Sequence, residues 1–287
     1  MFKTVENDVW AFDCEWVPDP LAGRLVYGLD EALPPLEVFE RMWKKGGATE
    51  EEPRPYLKTN LCRVVSIAAV VRTEKAGTVN LRLVALPKDV SDAAQCDEAK
   101  IVGRFLEQVG KTRPQLVGFN SQGADLRILV QRAVILGLVQ RDFAKRPNKP
   151  WEGPDYFARA SDHNVDLKEI LGGFGKTTPS LHEMAVQCGI PGKMGVAGDQ
   201  VVDLWLAGEH QKIVAYNERD ALTTYLLWLR MAHFCGFFDV PKYAIERKRV
   251  RDLLETESKT PARAHLTAYL AEWDRLEAAI ATRSGQL

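Results

Sequence analysis

Val9-Trp10-Ala11-Phe12-Asp13-Cys14-Glu15-Trp16 is the stretch on which the rest of the chain turns. Four apolar residues, aromatic or β-branched apart from Ala11, predict a short buried strand that becomes polar at Asp13. Side chains alternate along a strand, so Asp13 and Glu15 point to the same face. Two carboxylates crowded on one face repel each other, and a divalent cation between them removes the repulsion. Alone the D-x-E spacing is weak, since about one such tripeptide is expected by chance in a chain of this size and ordinary composition. A solvated strand end would read the same way.

Working outward, Arg63–Val71 (RVVSIAAVV) is a second strand run, followed by a turn at Lys75-Ala76-Gly77. Val79–Leu86 (VNLRLVAL) alternates with period two and stops at Pro87, and Gln115–Phe119 (QLVGF) is short and buried in character. The first three runs read as a meander. Ile101, Phe105, Leu106 and Val109 lie at helical spacing within 97–109, and Leu126, Leu129, Val130, Ala133 and Val134 predict a helix over 125–138. Beyond residue 165 the pattern is helical almost throughout. Ser180 with Glu183 three residues on is a capping box, and 210–233 is a long apolar-striped helix or pair of helices. Strand meander, helix, strand, then helices predicts an α/β domain with a mixed central sheet flanked by helices.

Two segments stand apart. Residues 17–60 hold Pro18, Pro20, Pro34, Pro35, Pro53 and Pro55 and the triplet Glu50-Glu51-Glu52. A loop of that length is usually functional or mobile, with room for a helix over Leu36–Lys45. Residues 241–287 are helical in composition and carry Lys242, Arg247, Lys248, Arg249 and Arg251 near their start. That strip could track a nucleic-acid backbone, but Glu246 and Asp252 interrupt it, as on a solvated helix face.

Composition narrows the class. A chain of 287 residues that is 46% hydrophobic and 27% charged is globular, which excludes a largely disordered protein. Lys+Arg 38 against Asp+Glu 39 excludes a polycation, although a local basic strip remains open. Cys14, Cys62, Cys96, Cys188 and Cys235 are scattered and odd in number, as expected of reduced thiols in a cytoplasmic protein and not of a zinc or disulfide framework. The first residues lack the apolar run of a signal peptide, and Arg63, Arg230 and His233 break the longest apolar stretches, so no membrane span is expected.

Two further motifs follow the D-x-E pair. Asn120 and Asp125 lie in VGFNSQGADLRIL (117–129), and Tyr216 and Asp220 are four apart on the late helix, on one face. Each is ordinary in isolation: Asp125 could merely favour a helix N-terminus, and Tyr216 could be packing. Their order is more informative. It resembles the three exonuclease motifs of the DEDD 3′–5′ exonuclease superfamily in its tyrosine branch, with Ala215 where the histidine branch would carry histidine. The string SLHEMAVQCGIPGKMGVAGDQVVDLWLAGEHQKIVAYNERDALTTYLLWLR (180–230) is similar to predicted bacterial exonucleases related to the proofreading domain of family B DNA polymerases. Asn164-Val165-Asp166-Leu167 resembles the stretch preceding it in that family. The likeness covers most of 9–16 and 61–236, leaving 17–60 and 241–287 as additions.

The resemblance implies an RNase H-like exonuclease fold over 1–240, with 17–60 inserted and 241–287 a C-terminal helical extension. Carried over residue by residue, Asp13, Glu15, Asp125 and Asp220 would hold two Mg²⁺ or Mn²⁺ ions, about 3.5–4 Å apart in such sites. One ion would acidify the attacking water and the other stabilise the leaving 3′ oxygen, with Tyr216 orienting the water. The implied reaction releases nucleoside 5′-monophosphates from the 3′ end of single-stranded nucleic acid. DNA is the expected substrate, with an exoribonuclease or a catalytically inactive nucleic-acid-binding module as alternatives. Trp16 and Asn120 are candidates to meet the terminal nucleotide, as is Phe119, for which core packing competes. Lys193 in Gly192-Lys193-Met194-Gly195 is a candidate for phosphate contact, a simple interhelical turn being the other reading. His163, His182 and His210 share no metal-ligand spacing.

Overall fold

Strand β1 (Asp8–Pro18) lies in the middle of the sheet. It pairs antiparallel with β2 (Cys62–Lys75), which pairs antiparallel with β3 (Thr78–Leu86). On its other side β1 runs parallel to β4 (Gln115–Gly118), and β4 parallel to β5 (Asn164–Asp166), giving the order β3-β2-β1-β4-β5. The computed structural model describes residues 2–149, 151–158, 161–172, 177–195 and 198–284. Val196 and Ala197 of the string quoted above, and 285–287 of the C-terminal extension, lie outside the described residues. Helices α1 (Pro20–Tyr27) and α2 (Pro35–Lys45) follow β1, and α3 (Glu98–Thr112) leads into β4. After β4 come α4 (Asp125–Ile135) and the single turn α5 (Arg141–Ala144). After β5 come α6 (Leu167–Leu171), α7 (Leu181–Gln187), α8 (Val201–Leu206), α9 (His210–Phe234), α10 (Val240–Glu257) and α11 (His265–Ser284). This mixed sheet between helices is the RNase H-like α/β architecture.

Alternation along β1 builds two cores. Val9 and Ala11 face Leu222, Tyr225 and Trp228 of α9, with Leu254 and Trp273 from the C-terminal helices in the same cluster. Trp10, Phe12 and Cys14 face the other way, against Ile101 and Phe105 of α3 and Leu129 of α4. Each core closes one face of the sheet, and Asp13 and Glu15 continue the α9-facing row past the point where it is apolar.

Residues 17–60 are more ordered than the long loop expected of them. Asp19 caps α1 by accepting from the Leu21 N–H, and Pro20 occupies the first turn, where its missing N–H is not needed. Gly23 lets α1 sit against α2, since a Cβ there would stand 2.7 Å from both Met42 and Val38. Val38, Phe39 and Met42 enter the same core as α3. The expected helix over 36–45 is α2, while α1 and β5 were not legible: three residues are too few for periodicity to register, and only pairing with β4 makes β5 a strand. The helix expected over 125–138 ends at Ile135.

C-terminal helices brace α9 and the sheet. Buried Arg72 of β2 reaches Glu246 of α10 at 2.9 Å, and Arg263, just before α11, reaches Glu218 of α9 at 2.7 Å. Four of the five basic residues are paired with carboxylates, Arg247 with Glu277, Lys248 with Asp252, Arg249 with Glu246, and Arg251 with Asp274 and Glu277, while Lys242 lies over the Phe238 ring at 4.8 Å. Glu246 is buried and Arg247 and Arg251 lie over the Trp273 ring of α11, so this side of α10 is an ion-paired seam and not the solvated face expected. Among the described residues no helix is long and apolar enough to cross a membrane.

Candidate active site

Asp13 and Glu15 leave β1 on the face covered by α9. Each offers a carboxylate oxygen that lies, with one from Asp220 of α9, within 4.8 Å of the other two. A register shift between Glu15 and Trp16 interrupts the β1–β2 pairing at this point. Such an irregularity bends a strand and re-aims its side chains. Asn217, fully buried one turn before Asp220, donates to Asp13 Oδ2 at 2.7 Å. The Ser66 hydroxyl donates in turn to Asn217 Oδ1 at 2.9 Å, which ties β1, β2 and α9 together at the acidic cluster.

Asp125 arrives from the other side. The β1–β4 ladder ends at Ala11↔Val117, so the edge of β1 beyond it is open to the first turn of α4. There Asp125 Oδ1 accepts the Cys14 N–H at 3.0 Å. The turn before it is held by Asp166, whose carboxylate accepts the N–H groups of Asn120 at 2.8 Å and Gln122 at 3.0 Å. Asn120 adopts a left-handed φ of 72°, which asparagine tolerates better than most residues. Asp125 is buried and lines the same cleft as the other three, standing beside the close trio and not within it. Tyr216 is buried one turn before Asp220 and lines the same cleft.

Crowding leaves a clear electrostatic signature. Burial, then the charges of Asp125, Glu15 and Asp220, hold Asp13 well above the carboxylate range, while the Asn217 hydrogen bond opposes this. Burial and then Asp220 and Asp125 raise Glu15 in the same way, offset in part by a hydrogen bond shared with Asp13. Burial pushes Asp125 up to about 7 and Asp220 up to about 6, Lys193 and Tyr216 restraining the latter. Burial and the same carboxylates raise Tyr216 far above its usual value, so it stays protonated. A set of hard oxygen donors that resist ionising together suits a divalent cation of the Mg²⁺ or Mn²⁺ type.

The cleft encloses about 710 Å³ and brings most of the other candidates to its walls. Trp16 is half-buried beside Glu15, Asn120 and Phe119 line the cleft with Asp125, and Lys193 is exposed on its wall. Phe119 also packs against the α9-side core. The Gly192–Gly195 segment is a turn tied to α7 and α9: His182 Nδ1 accepts the Lys193 N–H at 3.1 Å, and Arg219 donates to the Met194 carbonyl at 3.2 Å. His182 thus has a structural task, as the lack of a ligand spacing implied. Two buried residues escaped the sequence reading. Asn217 sits between the motif residues Tyr216 and Asp220, but its partner Asp13 is 204 positions away, so nothing local marks it. Asp166 reads locally as a helix cap, which it also is for α6.

Fold and cleft define an α/β protein of the RNase H-like class with an acidic cluster at the edge of its central strand. The chain belongs to the family described as "Predicted 3'-5' exonuclease related to the exonuclease domain of PolB", which it matches over residues 54–273. No curated protein matches it. The matched range takes in Asp125, Tyr216 and Asp220 and begins after β1. It also takes in residues 54–60 and 241–273, where the sequence by itself suggested no likeness.

Proposed function

We propose that the protein is a divalent-metal-dependent 3′–5′ exonuclease of the tyrosine branch, releasing nucleoside 5′-monophosphates from single-stranded DNA. The observation that carries this reading is the convergence of Asp13, Glu15 and Asp220 oxygens within 4.8 Å in an open cleft, with Asp125 beside them. These carboxylates would hold Mg²⁺ or Mn²⁺, two ions being the number such sites use. The ions, when bound, supply an acidified water and neutralise charge growing on the phosphate oxygens. Asn217 keeps the Asp13 carboxylate in place through its 2.7 Å hydrogen bond. Tyr216 retains its proton, so it acts as a donor and orienting group for Asp220 and the incoming water, and not as a base. Lys193, exposed at the cleft wall, is available to a phosphate of the substrate. Residues 1–240 would form the catalytic domain and 241–287 a helical extension that holds α9.

The test is a gel assay of 5′-labelled single-stranded DNA and RNA of one sequence, with Mg²⁺, Mn²⁺ or chelator. A ladder shortening from the 3′ end of the DNA with metal, and none with chelator, is the expected outcome. Preference for RNA would make the protein an exoribonuclease with the same site. Absence of cleavage on both would overturn the reading.

A further inference from the structure

Glu218 is a buried carboxylate that stands outside the acidic cluster, although it lies in α9 between Asn217 and Asp220. At about 100° per residue it leaves the helix roughly 160° away from both Tyr216 and Asp220, on the side opposite the cleft. There it meets Arg263, in the turn that leads into α11. Arg263 Nε donates to Glu218 Oε1 at 2.8 Å, while its other nitrogens bond Glu257 of α10 and the Leu83 carbonyl of β3, the latter at 3.0 Å. One planar fork thus joins α9, α10 and the sheet.

The grip extends along α9. Two turns before Glu218, Gln211 donates to the Ala262 carbonyl at 3.0 Å. Beyond it, Thr223 donates to the Pro191 carbonyl at 2.8 Å and lies 3.0 Å from the Tyr269 hydroxyl of α11. The single Thr223 proton is spent on Pro191, so Tyr269 is the donor to Thr223. Attachment at these points controls the roll of the helix. With side chains its radius is about 5–6 Å, so a roll of about 10° moves the groups facing the cleft by about 1 Å. A displacement of that size can cost about 10²-fold where atoms must meet in a fixed geometry. Asn217 has to reach Asp13 at 2.7 Å, and Asp220 has to stay with Asp13 and Glu15, so both depend on that roll.

We propose that Arg263 is a positioning residue of the active site: by holding Glu218 behind α9 it sets the roll of that helix, and with it the affinity of the carboxylates for a divalent cation. This rests on the metal-dependent reading of the cleft given above. No described residue of 241–287 lines the cleft, so the extension acts on it only through α9.

The experiment titrates Mn²⁺ into wild type, Arg263→Lys, Glu218→Gln and Glu246→Ala and follows the free ion by electron paramagnetic resonance. Melting temperatures and Mg²⁺-dependent cleavage of 5′-labelled single-stranded DNA are measured alongside. Lysine keeps the charge but offers a point donor in place of a fork, so it cannot hold Glu218, Glu257 and Leu83 together. Arg263→Lys should bind Mn²⁺ about 10- to 100-fold more weakly, the usual cost of losing a group that supports a metal ligand, and should need correspondingly more Mg²⁺ for half-maximal cleavage. Glu218→Gln keeps the size of the side chain and should shift both in the same direction; it decides the matter if Arg263→Lys does not fold. Glu246→Ala breaks the pair with Arg72 that fastens α10 to β2, so it should melt earlier yet bind Mn²⁺ as wild type does. Wild-type Mn²⁺ affinity in both Arg263→Lys and Glu218→Gln, or an equal loss in Glu246→Ala, would overturn the positioning role while leaving the exonuclease reading intact. A wild type that binds Mn²⁺ without cleaving DNA would overturn the exonuclease reading alone, and one that does neither would overturn both.

Discussion

At the residue scale, Asn217 shows how a buried amide makes an acidic cluster usable. Asp13 can ionise only against its neighbours' charge, and the Asn217 N–H is the hydrogen bond that favours its charged form. Removing that amide leaves Asp13 less well held and Ser66 without its acceptor. We expect Asn217→Ala to lower cleavage by about 10- to 100-fold, the usual effect of losing a group that orients a metal ligand, and to require more Mg²⁺ for half-maximal rate. An unchanged metal requirement would show that Asn217 only packs. Tyr216→Phe removes a hydroxyl but keeps the ring, so turnover should slow by no more than about 10²–10⁴-fold, and by less than in Asp13→Ala. Single-turnover rates at saturating Mg²⁺ decide this; a wild-type rate in Tyr216→Phe would leave the tyrosine a packing residue.

At the scale of elements, α10 is fastened to β2 by a buried charge pair and not only by apolar contact. Arg72 and Glu246 are both fully buried, and Arg72 also reaches Glu74 at 2.7 Å. Glu246→Ala would strand much of the guanidinium charge in the interior, so we expect a loss of about 3–5 kcal/mol, read as a lower urea midpoint. Glu74 is partly exposed and can compensate only in part. Other basic residues of the same helix should behave differently. Lys248 sits in an exposed pair with Asp252, and Arg251 is shared between Asp274 and Glu277 of α11. Neutralising Lys248 and Arg251 should therefore leave the salt dependence of strand binding unchanged. A slope reduced by about 0.7 per residue would mean that these side chains leave their partners for phosphates.

At the scale of the whole molecule, the acidic cleft is a place where stability is given up for chemistry. Asp220 and Asp125 have folded-state values near 6 and 7, above the ordinary aspartate value of about 3.9. A raised folded-state value means that the folded protein binds more protons than the unfolded chain above about pH 4. The associated stability is fully present below about pH 4 and is lost as pH rises through 6 and 7. In chelator, Asp220→Asn should thus become progressively more stable than wild type between about pH 4 and pH 7, by on the order of 2 kcal/mol at the upper end. Mg²⁺ should restore the wild type and shift the variant less. Melting curves across this pH range, with and without Mg²⁺, test it, and a pH-independent difference would contradict the crowding.

How much of this was legible beforehand depends on the range of the interaction involved. The alternation through Val9–Glu15, the apolar stripe of 210–233 and the Ser180–Glu183 cap are local, and local patterning determined the α/β class, the helix α7 start and the face shared by Asp13 and Glu15. The order of the motif residues also lies in the sequence, because their spacing along strand and helix fixes which side chains can share a face. Tertiary structure decided the rest. Only the early end of β4 exposes the Cys14 N–H to Asp125, and only the crossing of α9 over β1 brings Asn217 to Asp13. Tyr56 came to line the cleft through the packing of α2 and Leu57 into the core, within a segment whose sequence suggested a long loop with room for one helix. Side chains that meet across many intervening residues leave no periodic trace in the chain, so those contacts had to await the fold.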